Sequence, residues 1–348
     1  ILPHNFIELI DASVAYLQGK PFELYPDFPT AGIIDVSNYN DGARGGRVRV
    51  RAKISQIDKT TLAITEIPYT TTTKSLIESI LKANDKGSIK IKKIDDNTAA
   101  NVEILVYLPN GTSPDKTIDA LYAFTACETA ISPITCVIED NKPHFLTISE
   151  VLRRSTDRTM EILKQELEVQ LEELHMQWHN ASLEKIFIRE EMYINFKDYK
   201  NKESLYVYLY KRFEPFKNDL LREITDDDLE RLTKIPMIRI TNFDTYRAEE
   251  QMLKTEADIE KVQNHLAHLV DYTIAHFEYL KKTYSKGRER KTEIRVFDSI
   301  EATKVVVRNT KLYVNRPEGF VGTGLRKDEY VDDCSDIDDV IVFTESGS

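Results

Sequence analysis

Two stretches of the chain repeat apolar residues three or four apart for roughly thirty residues each, with a block of different texture between them. The first carries Met160, Leu163, Leu167, Leu171, Leu174 and Trp178; the second carries Ile259, Val262, Leu266, Leu269, Thr273, Phe277, Leu280 and Tyr284. Each seam is narrow, about two residues in seven, and the other faces are heavily charged, which is how two antiparallel arms of a coiled coil read. Helices are expected from about Thr147 to Asn180 and from about 247 to 284, the first opened by Thr147 and Glu150 at capping-box spacing. At ~1.5 Å per residue such an arm is about 45 Å long, far beyond the helices of a compact domain. The block between them, about 183–245, reads as a small helical module at the tip of the stalk. It is rich in aromatics: Phe187, Tyr193, Phe196, Tyr206, Tyr208, Tyr210, Phe213 and Phe216.

The residues before the stalk read as α/β. Phe6, Leu9, Ile10, Val14 and Leu17 recur at helical spacing over 5–18, with Asn5 as cap and Gly19 as stop. Val48, Val50, Ala52 and Ile54 alternate with Arg47, Arg49, Arg51 and Lys53, the period of a strand with one buried face. Leu62-Ala63-Ile64 reads as its partner, 74–83 and 114–125 as helices, and Val102–Leu108 as a strand ending in the Pro109-Asn110-Gly111 turn. After Gly287 a basic extended linker, Arg288–Lys291, leads to strands expected at 303–315 and 339–344, the start of a further module. The expected class is therefore α+β and multidomain.

Bulk properties narrow the chemistry. A net charge of -11 argues against nucleic acid unless the cations are gathered locally. Cys127, Cys136 and Cys334 form an odd set without CxxC spacing, the pattern of free thiols in a reducing compartment. No run approaches the roughly 18–20 apolar residues of a membrane span. The chain opens on Ile1-Leu2-Pro3 and closes soon after the strand-like Val340–Phe343, so both ends are expected to be cut from something longer.

Cations are gathered in one place. In Arg44-Gly-Gly-Arg47-Val-Arg49-Val-Arg51-Ala-Lys53 the last four charges fall on one strand face about 7 Å apart. Such a row either meets an anion such as a DNA backbone or is a solvated face balanced by acids elsewhere, because like charges so aligned repel. His175 and His179, one turn apart beside Glu172, have zinc-like spacing, as do His265 and His268, but no third and fourth ligand follows. They read as exposed or seam-flanking histidines. Gly319–Gly324 follows a strand without opening a helix, and the acids from Asp328 to Asp339 lack calcium-loop spacing. No nucleophile elbow, phosphate loop or zinc-protease motif is found.

Five strings resemble one family. Ile1-Leu-Pro-His-Asn5, Asp27-Phe-Pro-Thr30-Ala-Gly-Ile-Ile34, Gly45-Gly-Arg47-Val-Arg-Val-Arg-Ala-Lys53, Thr65-Glu-Ile-Pro-Tyr69 and Arg290-Lys-Thr-Glu-Ile294 are similar to I-P-P-H-N, P-D-F-P-T-G-G-I-I, G-x-G-x-V-x-x-R-A-K, T-E-I-P-Y and R-R-T-E-I of the A subunits of bacterial type IIA DNA topoisomerases. They occur in the family's order over nearly the whole chain; the stretch from about 85 to 125 departs most.

The resemblance implies an assignment of parts: 1–20 as the end of a winged-helix domain, 21–146 as the tower, and 147–182 with 246–286 as coiled-coil arms. It implies 183–245 as an exit gate through which two copies dimerise, its aromatics forming the contact, 287–297 as a linker, and 298–348 as the start of a β-pinwheel. Ile1 would be the apolar wedge that kinks DNA, and Arg44, Arg47, Arg49, Arg51 and Lys53 would hold backbone phosphates. The family's nucleophilic tyrosine lies in an A-x-x-R-Y-T-E-like string, which is absent here, so the segment alone is expected not to cut DNA. The resemblance places Mg2+ and ATP on the partner B subunit, with none on this chain. Its implied partners are duplex DNA, a second copy and the B subunit; its implied place is the nucleoid, in the bacterial cytoplasm. The stretch Gly324–Tyr330 lacks the Q-R-R-G-G-K-G-like box of gyrase, which favours topoisomerase IV. The reading from another class is a non-catalytic coiled-coil scaffold that organises DNA.

Overall fold

Asn5 accepts hydrogen bonds from the amides of Ile7 and Glu8 and so starts α1 (Phe6–Leu17) where the apolar period begins. The computed structural model describes residues 1–241, 244–300, 310–325, 327–335 and 338–343. It divides into two compact units, Ile1–Arg153 with Lys281–Ser348, and Arg154–Leu280.

The first unit is built on short strands: β1 (Ile33–Asp35), β2 (Val48–Arg51), β3 (Lys53–Asp58), β4 (Thr61–Glu66), β5 (Lys93–Asp96), β6 (Ile104–Tyr107), β7 (Glu128–Ile131), β8 (Cys136–Glu139), β9 (Lys142–Phe145) and β10 (Glu293–Ile294). The run read as one strand from 47 to 54 is two. It breaks at Ala52, so β2 lies in the sheet β10-β1-β2-β7 while β3 starts the sheet β3-β4-β6-β5. Leu62–Ile64 accordingly pairs with β3 and β6 and not with β2. Ala52 is fully buried and its amide donates to the Cys127 carbonyl, which holds the chain at the crossing point.

Helices α2 (Thr73–Asp85) and α3 (Pro114–Phe124) begin on Thr72 and Ser113 caps, the latter followed by proline at the first helical position. Their apolar faces cover the second sheet. Leu62, Ile64 and Ile104 from the sheet meet Leu76, Ile80 and Leu121 from the helices, all fully buried. Each such side chain contributes roughly 1.5–3 kcal/mol of burial. A second core joins α1 to the first sheet through Ala12, Leu24, Phe28, Ile34, Tyr39, Val48 and Val50.

The second unit holds most of α4 (Ile148–Arg189), with α5 (Lys202–Phe213), α6 (Asp226–Thr233), α7 (Met237–Thr241), α8 (Thr245–Ala267) and much of α9 (Leu269–Tyr284). The Thr147 hydroxyl accepts from the Glu150 amide at the start of α4, as its spacing predicts. Lys185 pairs with Glu249 at 2.6 Å, and Trp178 donates to Glu256 at 2.7 Å. Seven residues back on α4 correspond to seven forward on α8, so the two helices run antiparallel. Leu163, Leu167, Val262 and Thr273 of the two seams are buried, whereas Tyr284 is exposed.

Two expectations change here. The second long helix is interrupted at His268 (φ -120, ψ 49), although neither proline nor glycine is present. Both the His268 amide and its ring Nδ1 lie 3.0 Å from the Asn264 carbonyl, so a side chain competes with the helical ladder at the break. The aromatics expected to face a second copy are largely internal. Phe187, Tyr206 and Phe213 join Leu183, Leu209 and Leu229 in the module's own core, with Tyr193, Phe196, Tyr208, Tyr210 and Phe216 packed against it. A module this small needs its large side chains inside to hold itself together. Among the described residues its exposed apolar side chains are Ile194, Val207, Leu221, Met237 and Ile238, with Tyr246 exposed just beyond it on α8.

Beyond β10 the chain forms β11 (Thr310–Asn315), β12 (Phe320–Gly322) and β13 (Glu329–Cys334) in the order β12-β11-β13. The glycine-rich stretch is the turn and strand β12, Asp332 and Asp333 lie on β13, and residues 339–343 are not in a strand. Residues 303–309, the first part of the expected strand, and residue 344 lie outside the described residues. Among the described residues no helix is long and apolar enough to cross a membrane.

Candidate nucleic-acid interface

The cation row of β2 and β3 acquires its counterions from the neighbouring strands. Arg51 lies opposite Glu128 in register, and that carboxylate takes both Arg51 (2.6 Å) and Arg49 (2.7 Å). Lys53 lies opposite Glu66 and pairs with it at 3.3 Å. The Arg51 guanidinium is also packed between the rings of Phe297 (4.2 Å) and Tyr122 (4.6 Å), while Arg49 stands 5.3 Å over Phe297. The hydrogen bonds that Arg49 donates to Glu128, set against burial, keep it more firmly protonated than usual. Three of the expected phosphate ligands are thus held by the protein's own acids, and Arg51 is nearly enclosed.

Arg44 and Arg47 differ: both are exposed, and among the described residues neither has an ion-pair partner. Their positions are fixed by backbone. The Arg47 amide donates to the Asn38 carbonyl at 2.7 Å, and a Cβ on Gly46 would stand 2.2 Å from the Tyr39 carbonyl oxygen, so only glycine fits there. A cleft of about 310 Å³ opens between Asp35, Asn38, Arg47 and Arg49. Burial works against the charge of Asp35, but hydrogen bonds from the Ser37 hydroxyl, the Ser37 amide and the Phe297 amide, together with Arg49, hold its carboxyl below the usual range. Ile1 is 65% exposed, and His4 Nε2 lies 3.2 Å from the Tyr39 hydroxyl. The N-terminal segment and the loop bearing Arg44 and Arg47 therefore share one anchor.

The five strings noted in the sequence converge in this unit. Asn5 donates to the Asp27 carboxylate (2.9 Å) and to the Arg288 carbonyl (3.0 Å). Asp27 also receives the amides of Lys291 and Thr292, and the Thr292 hydroxyl receives the amide of Phe28 at 2.6 Å. Arg290 forms a two-pronged pair with Glu8 and donates to the carbonyls of Tyr25 and Pro26. Glu66 accepts from the Gly32 amide (2.8 Å), and β1 pairs with both β2 and β10. Residues 287–297, read as a linker, are thereby bound to the sheet, with Phe297 buried.

Reading the sequence missed Asp35, Asn38, Glu128 and Phe297. The rule that aligned cations repel called for an anion; Glu128 was hidden because the four-residue β7 is too short to announce itself as a strand. The histidine pairs do not converge either. His179, beside the seam residue Trp178, is 1% exposed, and among the described residues no group of three His, Cys, Asp or Glu could hold a metal ion.

These features define a multidomain α+β protein that joins a sheet unit with exposed cations to a long antiparallel helix pair carrying its own globule. The model of the family of DNA gyrase/topoisomerase IV A subunits matches residues 1–278. The A subunit of DNA topoisomerase 4 from Borreliella burgdorferi is 35% identical over 346 residues, covering 99% of this chain and 55% of that protein. The A subunit of DNA gyrase from Brachyspira hyodysenteriae is 24% identical over 317 residues, covering 84% and 36%, and the A subunit of DNA topoisomerase 4 from Staphylococcus epidermidis is 22% identical over 287 residues, covering 76% and 34%. The chain belongs to this family of DNA gyrase/topoisomerase IV A subunits, and a scaffold outside that family is not favoured. It spans about half the length of the first of these relatives and about a third of the others.

Proposed function

We propose that this chain is the DNA-supporting and self-associating part of the A subunit of a type IIA topoisomerase, of the topoisomerase IV kind. The observation that carries the reading is the convergence of the five family strings on one sheet, three of them tied in a hydrogen-bonded knot and two joined to it through Glu66 and β2, beside an exposed Arg44 and Arg47. The relative matched at 35% identity over 99% of the chain is a topoisomerase IV subunit, which supports that branch over gyrase.

In this reading 1–20 is the end of a winged-helix domain, 21–146 of the sheet unit the tower, α4 with α8 and α9 the arms, 183–245 the exit gate and 298–348, with β11–β13, the start of the pinwheel. Arg44 and Arg47 hold phosphates and set the register of the duplex without reading its sequence. Ile1 is the wedge; unstacking one base step costs a few kcal/mol, which the contacts of a bent duplex repay. Arg49, Arg51 and Lys53 position the sheet that presents those groups. Strand cleavage needs the family's tyrosine, which no string here supplies, and ATP and Mg2+ act on the B subunit. A second copy docks through the exposed apolar residues of the tip.

The test is binding of a duplex of about 30 base pairs across a salt series, with Arg44→Gln/Arg47→Gln as the comparison. Affinity that falls with salt and drops further in the double variant is expected. Binding unaffected by either change removes the tower assignment.

A further inference from the structure

Arg49, Arg51 and Lys53 show what a cation with an internal role looks like in this protein: each pairs with an acid on a neighbouring strand. A second group of cations lacks this feature. Lys82, Lys86, Lys90, Lys92 and Lys93 are all exposed, and the stretch they span holds one acid, Asp85, giving a local charge of +4 in a chain of net charge -11. Among the described residues only Lys93 has a carboxylate partner, Asp95 at 2.7 Å.

The group sits on a fixed platform. Lys82 and Lys86 are one turn apart at the end of α2. The connector that follows is pinned by the Ile91 amide donating to Asn84 Oδ1 (2.9 Å), by the Lys92 amide donating to the Tyr107 carbonyl (2.7 Å) and by Ile89, buried at 1%. Register then places Lys93 beside Tyr107 and Tyr107 beside Thr61, and the Leu108 amide donates to the Thr60 carbonyl. Exposed Lys59, in the turn between β3 and β4, therefore lies at the same end of the sheet.

Local effects explain only part of this arrangement. The negative end of α2 favours Lys82 and Lys86, and Asp95 answers Lys93, but neither accounts for Lys90 and Lys92, and like charges gathered on one short stretch cost stability without an anion. The stretch from about 85 also departs from the family's pattern, so the resemblance to the family does not supply a role for it. We infer that Lys86, Lys90 and Lys92, with their neighbours Lys59, Lys82 and Lys93, form a second phosphate-contacting surface that takes the backbone of duplex DNA, separate from Arg44 and Arg47. The inference rests on the DNA-supporting reading of the chain.

The experiment measures duplex affinity against salt for the full chain, for Lys86→Gln/Lys90→Gln/Lys92→Gln, and for a control of equal charge change on the arms, Lys254→Gln/Lys261→Gln/Lys282→Gln. Each phosphate contact contributes about 0.9 to the slope of log affinity against log salt, so the first variant is expected to lose about 2 to 3 and the control nothing. An unchanged slope in the first variant overturns the second surface while leaving the reading of Arg44 and Arg47 intact. Equal losses in both variants overturn it too, since net charge alone would then be responsible. If the parent chain shows no salt-dependent binding even at low salt, the DNA-supporting reading itself fails, and this surface with it.

Discussion

Arg51 and Glu128 face each other in register across β2 and β7, 2.6 Å apart, and the same carboxylate holds Arg49 at 2.7 Å. Only 12% of the Arg51 side chain and 18% of the Glu128 side chain reach solvent. Removing the acid would strand two guanidiniums, one of them nearly enclosed. Glu128→Gln is expected to destabilise the sheet unit by roughly 3 kcal/mol, near the lower end for breaking a buried pair. It is not expected to weaken duplex binding. Arg47→Gln should do the reverse, leaving the urea midpoint within about 0.5 kcal/mol of the parent while weakening binding. Measuring both quantities on both variants separates positioning cations from phosphate ligands; loss of binding in Glu128→Gln at full stability would reverse the assignment.

Asp27 makes a second test, through pH. Burial opposes its charge, but hydrogen bonds from Asn5 and from the Thr292 and Lys291 amides outweigh that and lower its pKa from 3.8. A carboxylate with a depressed folded pKa contributes stability that is present above its unfolded value and lost as pH falls through the folded one. The sheet unit should therefore lose stability below about pH 4, and Asp27→Asn should be less stable at neutral pH with a shallower fall in acid. Urea midpoints between pH 2 and 7 give both slopes, and parallel curves for the two proteins would show that Asp27 does not tie the knot.

His179 titrates in a different window. It is 1% exposed, 3.6 Å from Asp228, and neither ring nitrogen has a hydrogen-bond partner. Burial first, and then the charge of Arg222, lower its pKa from 6.5; Asp228 pulls the other way and Arg231 adds to the lowering. Asp228 itself is held down at about 2, burial opposing and Arg222 with Thr225 prevailing, so it stays charged throughout. Because the unfolded chain takes up the proton first, the tip module should lose stability as pH falls below about 6.5. His179→Leu should abolish that dependence. Trp178, the chain's single tryptophan, adjoins His179 and reports the transition by fluorescence. An identical pH dependence in the variant would sink the assignment.

How much was legible depended on the range of the interactions involved. The helices α1, α2, α3 and α4 could be read because their signals are local, the caps Asn5 and Thr147 for α1 and α4 and the apolar run for α2, whereas the caps Thr72 and Ser113 come from the structure. The five strings could be read because each holds a neighbour in one bonded arrangement, Asn5, Asp27 and Thr292 in the knot and Glu66 and β2 against β1 beside it. The break at Ala52 could not, since the alternation continues through it and only the pairing of β2 with β7 and β3 with β4 reveals two sheets. The candidate site was half legible for the same reason. Period two put Arg49 and Arg51 beside Arg47, but their distinction lies in Glu128, some eighty residues away and brought opposite only by register.

The tip carries the last test. The module's large aromatics are spent on its own core, so in the proposed dimer association would depend on apolar residues left outside, chiefly Met237 at 61% and Ile238 at 72% exposure. Surface positions tolerate charge within about 0.5 kcal/mol when nothing covers them, whereas a charge at the centre of an interface meets its own copy and is strongly disfavoured. Met237→Glu/Ile238→Glu should therefore leave the urea midpoint unchanged and halve the mass seen by light scattering at micromolar concentration. Leu209→Asp, placed in the core, should instead unfold the tip. A double variant that stays dimeric would move the contact to Val207 and Leu221. A parent chain that is monomeric at every concentration would mean that this module does not close a gate by itself.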